Sequence, residues 1–75
     1  MKKTIYSSAH KHLVDQLKKA RQSSRLEQQQ VADKLGKTQS YISKIESGQR
    51  RVDLVQLKEF AKIYKKSLDY FLPKK

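Results

Sequence analysis

Cysteine is absent from this 75-residue chain, which excludes disulfides and thiolate metal sites and fits a reducing compartment. Strand signals are missing too: polar and apolar residues alternate only weakly, and the one proline stands at position 73. Long apolar runs are lacking. Stretches such as Leu13-Val14 and Leu54-Val55 are broken at once by polar residues, far short of a membrane span. Met1-Lys2-Lys3 has the basic start of a secretory signal, but no apolar run follows between Thr4 and Lys11. A cytoplasmic, α-helical chain without a membrane segment is therefore expected. Acidic residues are scarce as well, with 7 Asp+Glu against 18 Lys+Arg, a formal net charge of +11. That excess favours a polyanionic partner, nucleic acid ahead of an anionic membrane surface. Membrane attraction would need a basic helix with a bulky apolar face, which is not evident outside the core stripes.

A chain of this size is one domain and buries only ~60% of the surface that its unfolded form exposes. There is room for one modest core and none for a deep catalytic cleft. His10 and His12 lie two positions apart on a helix, so they face different directions and cannot chelate together. No carboxylate pair, and no nucleophile with a base, occurs at plausible spacing. An enzyme is not expected, nor a cofactor, a metal or a small-molecule ligand.

Five helices can be placed. Residues 1–8 are polar and are expected to be a flexible N-terminal segment, with the folded domain over 9–72 and a basic tail over 73–75. Ser8 can cap a first helix over 9–23, whose inner stripe is Leu13, Leu17 and Ala20 with Val14 beside them. Leu26 and Val31 have the spacing of a hydrophobic staple around a second helix over 28–35. Glu27 holds its capping position, where its charge suits the positive end of the helix dipole. Gly36 fits the left-handed residue that ends it. Thr38 then caps a third helix over 39–47, which Gly48 terminates in the same way. Asp53 with Gln56 matches a capping box, and Val52 with Leu57 a staple, at the start of a fourth helix. Its inner face is Leu57, Phe60, Ala61 and Tyr64. Ser67 can cap a last short turn, Leu68 to Leu72.

Several words in this series are shared with a known family. Leu17 and Arg21 in the first helix are followed by Gln28 opening the second, then Val31-Ala32 and Leu35-Gly36. After these come Gln39-Ser40-Tyr41-Ile42-Ser43-Lys44-Ile45-Glu46 with Gly48, and finally Ser67-Leu68-Asp69. The stretch from Leu17 to Leu72 resembles the lambda-repressor and Cro type of helix-turn-helix protein, the XRE family. The resemblance implies a compact five-helix, all-α domain with the helix-turn-helix at its second and third helices. Arg25, Glu27 and Lys65 depart from the family pattern, which commonly has Gly, Ser or Thr, and Gly at those places. Arg25 or Lys65 in a left-handed conformation would cost on the order of 1 kcal/mol.

What the resemblance implies for function agrees with the chemistry of the third helix. In the family, the positions matched by Gln39, Ser40, Ser43 and Lys44 approach bases. Gln39 offers the donor and acceptor that adenine complements, and Lys44 the donors that suit guanine, while the two serines can serve either. The family uses a Gln at the position matched by Gln28 to grip the DNA backbone, and the resemblance implies the same here. Lys37 and Thr38 in the turn, the Tyr41 hydroxyl, and the loop residues Ser47, Gln49, Arg50 and Arg51 are further phosphate candidates, the two guanidiniums being suited to bidentate contact. The family further implies an ion pair between Arg21 and Glu46 that ties the first helix to the third.

The expectation is a sequence-specific, double-stranded-DNA-binding transcriptional regulator, working as a homodimer on a pseudo-palindromic operator. Tyr70, Phe71 and Leu72 exceed what so small a core can hide and are the candidate dimer surface, with the fourth helix supplying the remaining apolar partners; in the other reading Phe71 and Leu72 simply complete the core. The alternative is an antitoxin that neutralises a toxin partner and also binds its own promoter.

Overall fold

The computed structural model describes residues 8–72, all of whose regular structure is helical. The helices are α1 (Ser8–Ser23), α2 (Gln28–Leu35), α3 (Gln39–Glu46), α4 (Leu54–Tyr64) and α5 (Leu68–Phe71). The expectations for residues 1–7 and 73–75 lie outside the described residues. Ser8 belongs to α1 itself, one residue earlier than expected. At the other boundaries α3 stops at Glu46, with Ser47 as its cap, and α5 stops at Phe71.

One apolar interior explains the arrangement. Leu17 and Ala20 of α1, Val31 and Ala32 of α2, and Ile42 and Ile45 of α3 are fully buried. Leu57, Phe60, Ala61 and Tyr64 of α4 and Phe71 of α5 close it from the other side. Helices of four to eight residues are unstable alone in water, so α2, α3 and α5 persist because each lays its apolar stripe on this common core. The longer α1 runs beside α3, α4 and α5, while α2 and α3 pack mainly on one another.

Each chain reversal after α1 to α4 uses the same device. A residue with positive φ follows the helix: Arg25 at 59°, Gly36 at 70°, Gly48 at 83° and Lys65 at 58°. In each case the next backbone N–H returns to a carbonyl five residues earlier: Leu26 to Arg21, Lys37 to Ala32, Gln49 to Lys44 and Lys66 to Ala61. This is the Schellman motif, which satisfies the last carbonyls of the helix. Glycine occupies two of the four positions without strain; Arg25 and Lys65 adopt the same conformation against their Cβ preference.

The helix starts are equally local. Thr38 Oγ1 accepts from the Tyr41 N–H at 3.1 Å. Asp53 Oδ1 accepts from the Gln56 N–H at 2.8 Å, and Gln56 Oε1 accepts from the Asp53 N–H at 3.1 Å. At α2 the unusual capping residue Glu27 is matched by Gln30, whose Oε1 accepts from the Glu27 N–H at 2.7 Å. Ser67 holds the extended backbone of a capping residue at α5, but its side chain makes no capping bond.

Two polar groups lie within this interior. Glu46, the last residue of α3, is buried, and its carboxylate accepts from Arg21 Nε at 2.8 Å and Nη2 at 3.1 Å. Arg21 Nη1 donates to the Leu26 carbonyl at 2.9 Å, so the same guanidinium fixes the reversal after α1. The Glu46 hydrogen bonds raise the Arg21 pKa further, against the opposing effect of burial. Tyr64 stacks on Phe60 with ring centroids 6.0 Å apart. Its hydroxyl is buried without a hydrogen-bond partner, and burial, then the Glu46 charge, push its pKa well above the ordinary tyrosine value.

Three outcomes follow from this construction. Arg21→Ala is expected to cost about 3–5 kcal/mol in urea unfolding, because it leaves a buried carboxylate uncompensated, whereas the apolar pair Arg21→Met with Glu46→Leu recovers most of that loss. Lys65→Gly is expected to gain about 0.5–1 kcal/mol, while Gly36→Ala loses about 1 kcal/mol although an added Cβ would meet nothing within 4 Å. For Tyr64, the unfolded phenol loses its proton near pH ~10 while the folded one keeps it. Stability is therefore complete below that pH and falls as pH rises beyond it. A series of thermal melts between neutral pH and pH ~11 should show Tyr64→Phe without this decline and no less stable at neutrality.

Candidate nucleic-acid interface

The eight residues of α3 divide cleanly by side. Ile42 and Ile45 point into the core and are fully buried. On the outer surface Gln39, Ser40 and Lys44 are exposed and Ser43 is half-buried. Positions 39, 40, 43 and 44 follow the helical repeat, so these four side chains form one polar strip. Glu46 anchors the C-terminal end of the same helix through Arg21, and Thr38 fixes its first turn.

A chain of hydrogen bonds runs from the buried pair to the start of that strip. Gln28 Nε2 donates to Glu46 Oε1 at 3.0 Å, and Gln39 Nε2 donates to Gln28 Oε1. Arg21, Glu46, Gln28 and Gln39 thus connect α1, α3 and the first turn of α2. The spacing of the sequence did not reveal this coupling. It also alters the expectation for Gln28. Both polar atoms of its amide already have protein partners, so an anion at the start of α2 would meet its backbone N–H or the remaining amide hydrogen.

The flanks of the strip are cationic. Lys37, in the turn before α3, and Arg50 and Arg51, in the loop after it, are exposed. Within that loop Ser47 Oγ donates to the Lys44 carbonyl at 3.2 Å, and Gln49 Nε2 donates to Ser47 Oγ at 2.9 Å. Ser47 and Gln49 therefore shape the end of α3 while remaining exposed. Tyr41 is half-buried against the core, and its hydroxyl accepts from Gln56 Nε2. The Lys37 Nζ lies 5.2 Å, and the Arg50 guanidinium carbon 4.8 Å, from the centroid of the Tyr41 ring. This cluster was not foreseen as a unit, although the four-residue spacing of Lys37 and Tyr41 is the signal that could have suggested half of it.

At the expected dimer surface the structure requires a correction. Phe71 is fully buried, because α5 folds back on α1 and inserts that ring into the core. Tyr70 is half-buried. It meets Phe71 edge-on at 5.1 Å, carries Lys66 Nζ 4.8 Å from its ring, and accepts at its carbonyl from Gln16 Nε2. Leu72 alone of the three is exposed. Among the described residues the more exposed apolar side chains are Leu54, at 62%, and Val55, at 66%, in the first turn of α4. Val55 lies on the side of α4 away from Leu57, and Leu54, three residues before Leu57, stands at the exposed start of the helix.

Among the described residues no group of three His, Asp or Glu side chains is placed to hold a metal ion, and no helix is long and apolar enough to cross a membrane.

Comparison with known proteins places the fold. No curated protein matches the chain. Among solved structures, hydroxypropylphosphonic acid epoxidase from S. wedmorenis superposes with a TM-score of 0.82 at 23% identity, over 91% of this chain and 36% of the epoxidase chain. Its apo form gives 0.80 at 24% identity over 87% and 36%. The chain thus spans about a third of the length of these enzymes, and the likeness is one of fold. The restriction-modification controller protein C.AhdI from Aeromonas hydrophila gives a TM-score of 0.76 at 25% identity, over 84% of this chain and 91% of that one. Residues 17–71 match the helix-turn-helix family, a stretch running from Leu17 in α1 to Phe71 in α5. With five helices in the expected order and α2 and α3 forming the paired unit, the chain belongs to the helix-turn-helix family, in its lambda-repressor-like form.

Proposed function

We propose that this protein is a sequence-specific regulator of transcription that binds double-stranded DNA. α3 would enter the major groove, with Gln39, Ser40, Ser43 and Lys44 at base edges. The observation that carries this reading is the two-sided build of α3: Ile42 and Ile45 are fully buried, while Gln39, Ser40 and Lys44 face solvent. Lys37, Arg50 and Arg51 supply phosphate contacts on the flanks, assisted by Thr38, Ser47, Gln49 and the start of α2 at Gln28. The net charge of +11 gives the long-range attraction. Likeness to a controller protein over most of both chains supports a regulatory role.

The protein acts as a homodimer on a pseudo-palindromic operator, with half-site centres about 34 Å apart so that two copies of α3 lie on one face of the duplex. Leu54 and Val55 of α4, with Leu72, are the large exposed apolar side chains among the described residues available to join the copies.

Selection from random duplex DNA followed by titration of the recovered site is the direct test. A palindromic consensus is expected, and affinity for it should fall steeply between low and moderate salt. Lys44→Ala should relax preference at one base pair, costing ~1–3 kcal/mol there, while Arg51→Ala weakens matched and mismatched sites alike. Failure of selection to enrich any sequence, or identical behaviour of both variants on matched and mismatched sites, would refute the assignment.

A further inference from the structure

Tyr41 occupies the first turn of α3 with its ring half-buried against the core. It is braced from α4: its hydroxyl accepts from Gln56 Nε2, and Gln56 Oε1 is itself held by the Asp53 N–H. The same ring carries two cations from separate segments, Lys37 from the turn before α3 and Arg50 from the loop after it, at 5.2 and 4.8 Å from its centroid. Both cations are exposed side chains with many rotamers, so an untethered contact to a phosphate would cost considerable entropy. A cation over an aromatic face is attracted by the ring quadrupole. Stacking occupies the flat face of a guanidinium and leaves its N–H edge free for an anionic oxygen. The hydroxyl, by contrast, already has an internal partner.

We infer that Tyr41 is a positioning residue, whose aromatic ring, and not its hydroxyl, holds Lys37 and Arg50 in place beside α3 for the DNA backbone. The inference rests on the DNA-binding role proposed above and assigns the ring a function within it. Its effect is independent of base sequence, because phosphate contacts set register and affinity without reading bases. At exposed sites each cation–π contact corresponds to a factor of roughly 2 to 5, so loss of both should weaken binding roughly 4- to 25-fold.

The test compares Tyr41→Phe, Tyr41→Leu, Arg50→Gln and the double variant Tyr41→Leu with Arg50→Gln, all in the full chain. Each is titrated with the selected duplex and an unrelated duplex at several salt concentrations, and thermal melting monitors folding. Tyr41→Phe is expected to bind both duplexes within about twofold of the parent, the ring being kept, while Tyr41→Leu weakens both alike by roughly 4- to 25-fold. Arg50→Gln should cost less in the Tyr41→Leu background than in the parent, since the two act through one contact. In the DNA-free parent, NMR should find the side-chain methylene protons of Lys37 and Arg50 shifted upfield by the ring, and back at ordinary positions in Tyr41→Leu. Should Tyr41→Leu not fold, the parent's methylene shifts and the affinity of Tyr41→Phe decide the matter.

Equal weakening by Tyr41→Phe and Tyr41→Leu, strict additivity in the cycle, or unshifted methylenes would each overturn the inference while leaving DNA binding intact. Absence of salt-sensitive DNA binding by the parent would overturn it together with the function on which it rests.

Discussion

A bidentate contact between Arg21 and Glu46 fixes the aim of α3. The guanidinium reaches from the last turn of α1 to the buried carboxylate that ends α3, and its remaining arm binds the Leu26 carbonyl where the chain turns towards α2. One side chain thereby sets the relation among three helices. The apolar contacts of Ile42 and Ile45 resist withdrawal of α3 from the core, but they are non-directional and would tolerate rotation about the helix axis. The ion pair at one end, and the hydrogen bond from Gln56 of α4 to Tyr41 at the other, remove that freedom. A side chain on the outer strip then inherits its direction from the interior. Mutual hydrogen bonding makes the charges tolerable at this depth; either one alone would be costly.

The exposed surface is organised around the same axis. Gln28 extends the buried network to Gln39, and Tyr41 gathers Lys37 and Arg50 beside the strip. Polar side chains that a sequence presents as independent and solvated are here linked through two supports, the buried Glu46 for the first set and the half-buried Gln56 for the second. Polar groups held by such supports lose less freedom when they meet a ligand than groups that must be ordered at the encounter.

Much of the architecture was legible because its signals are local. Apolar periodicity located α1, α2 and α4 and their buried faces, and Asp53 with Gln56 marked the start of α4 from residues three apart. Gly36 and Gly48 announced reversals, and the family pattern placed equivalent reversals at Arg25 and Lys65, where residue type alone gave no sign. What could not be read depends on pairs remote in sequence. The Gln28–Gln39 and Tyr41–Gln56 bonds form only once α2, α3 and α4 are packed. The place of Phe71, dimer surface or core, stayed open for the same reason: its hydrophobicity was evident, but its burial depends on α5 docking against α1, and periodicity within four residues cannot report that.

The Schellman reversals leave unequal slack between the helices. Four residues separate α1 from α2, three separate α2 from α3, and three separate α4 from α5, each spanned by a closed hydrogen-bonded turn. Seven residues, 47–53, lie between α3 and α4, where the turn at Gly48 is followed by exposed backbone before Asp53 caps the next helix. An added residue in any of the three short links would rotate the following helix out of register with the interior. In the long link the extra length could bulge into solvent without moving either helix. Evolutionary gain and loss of residues in this architecture should therefore concentrate between Gln49 and Val52, the segment that carries Arg50 and Arg51, so that these exposed cations can be re-spaced while α3 stays where it is.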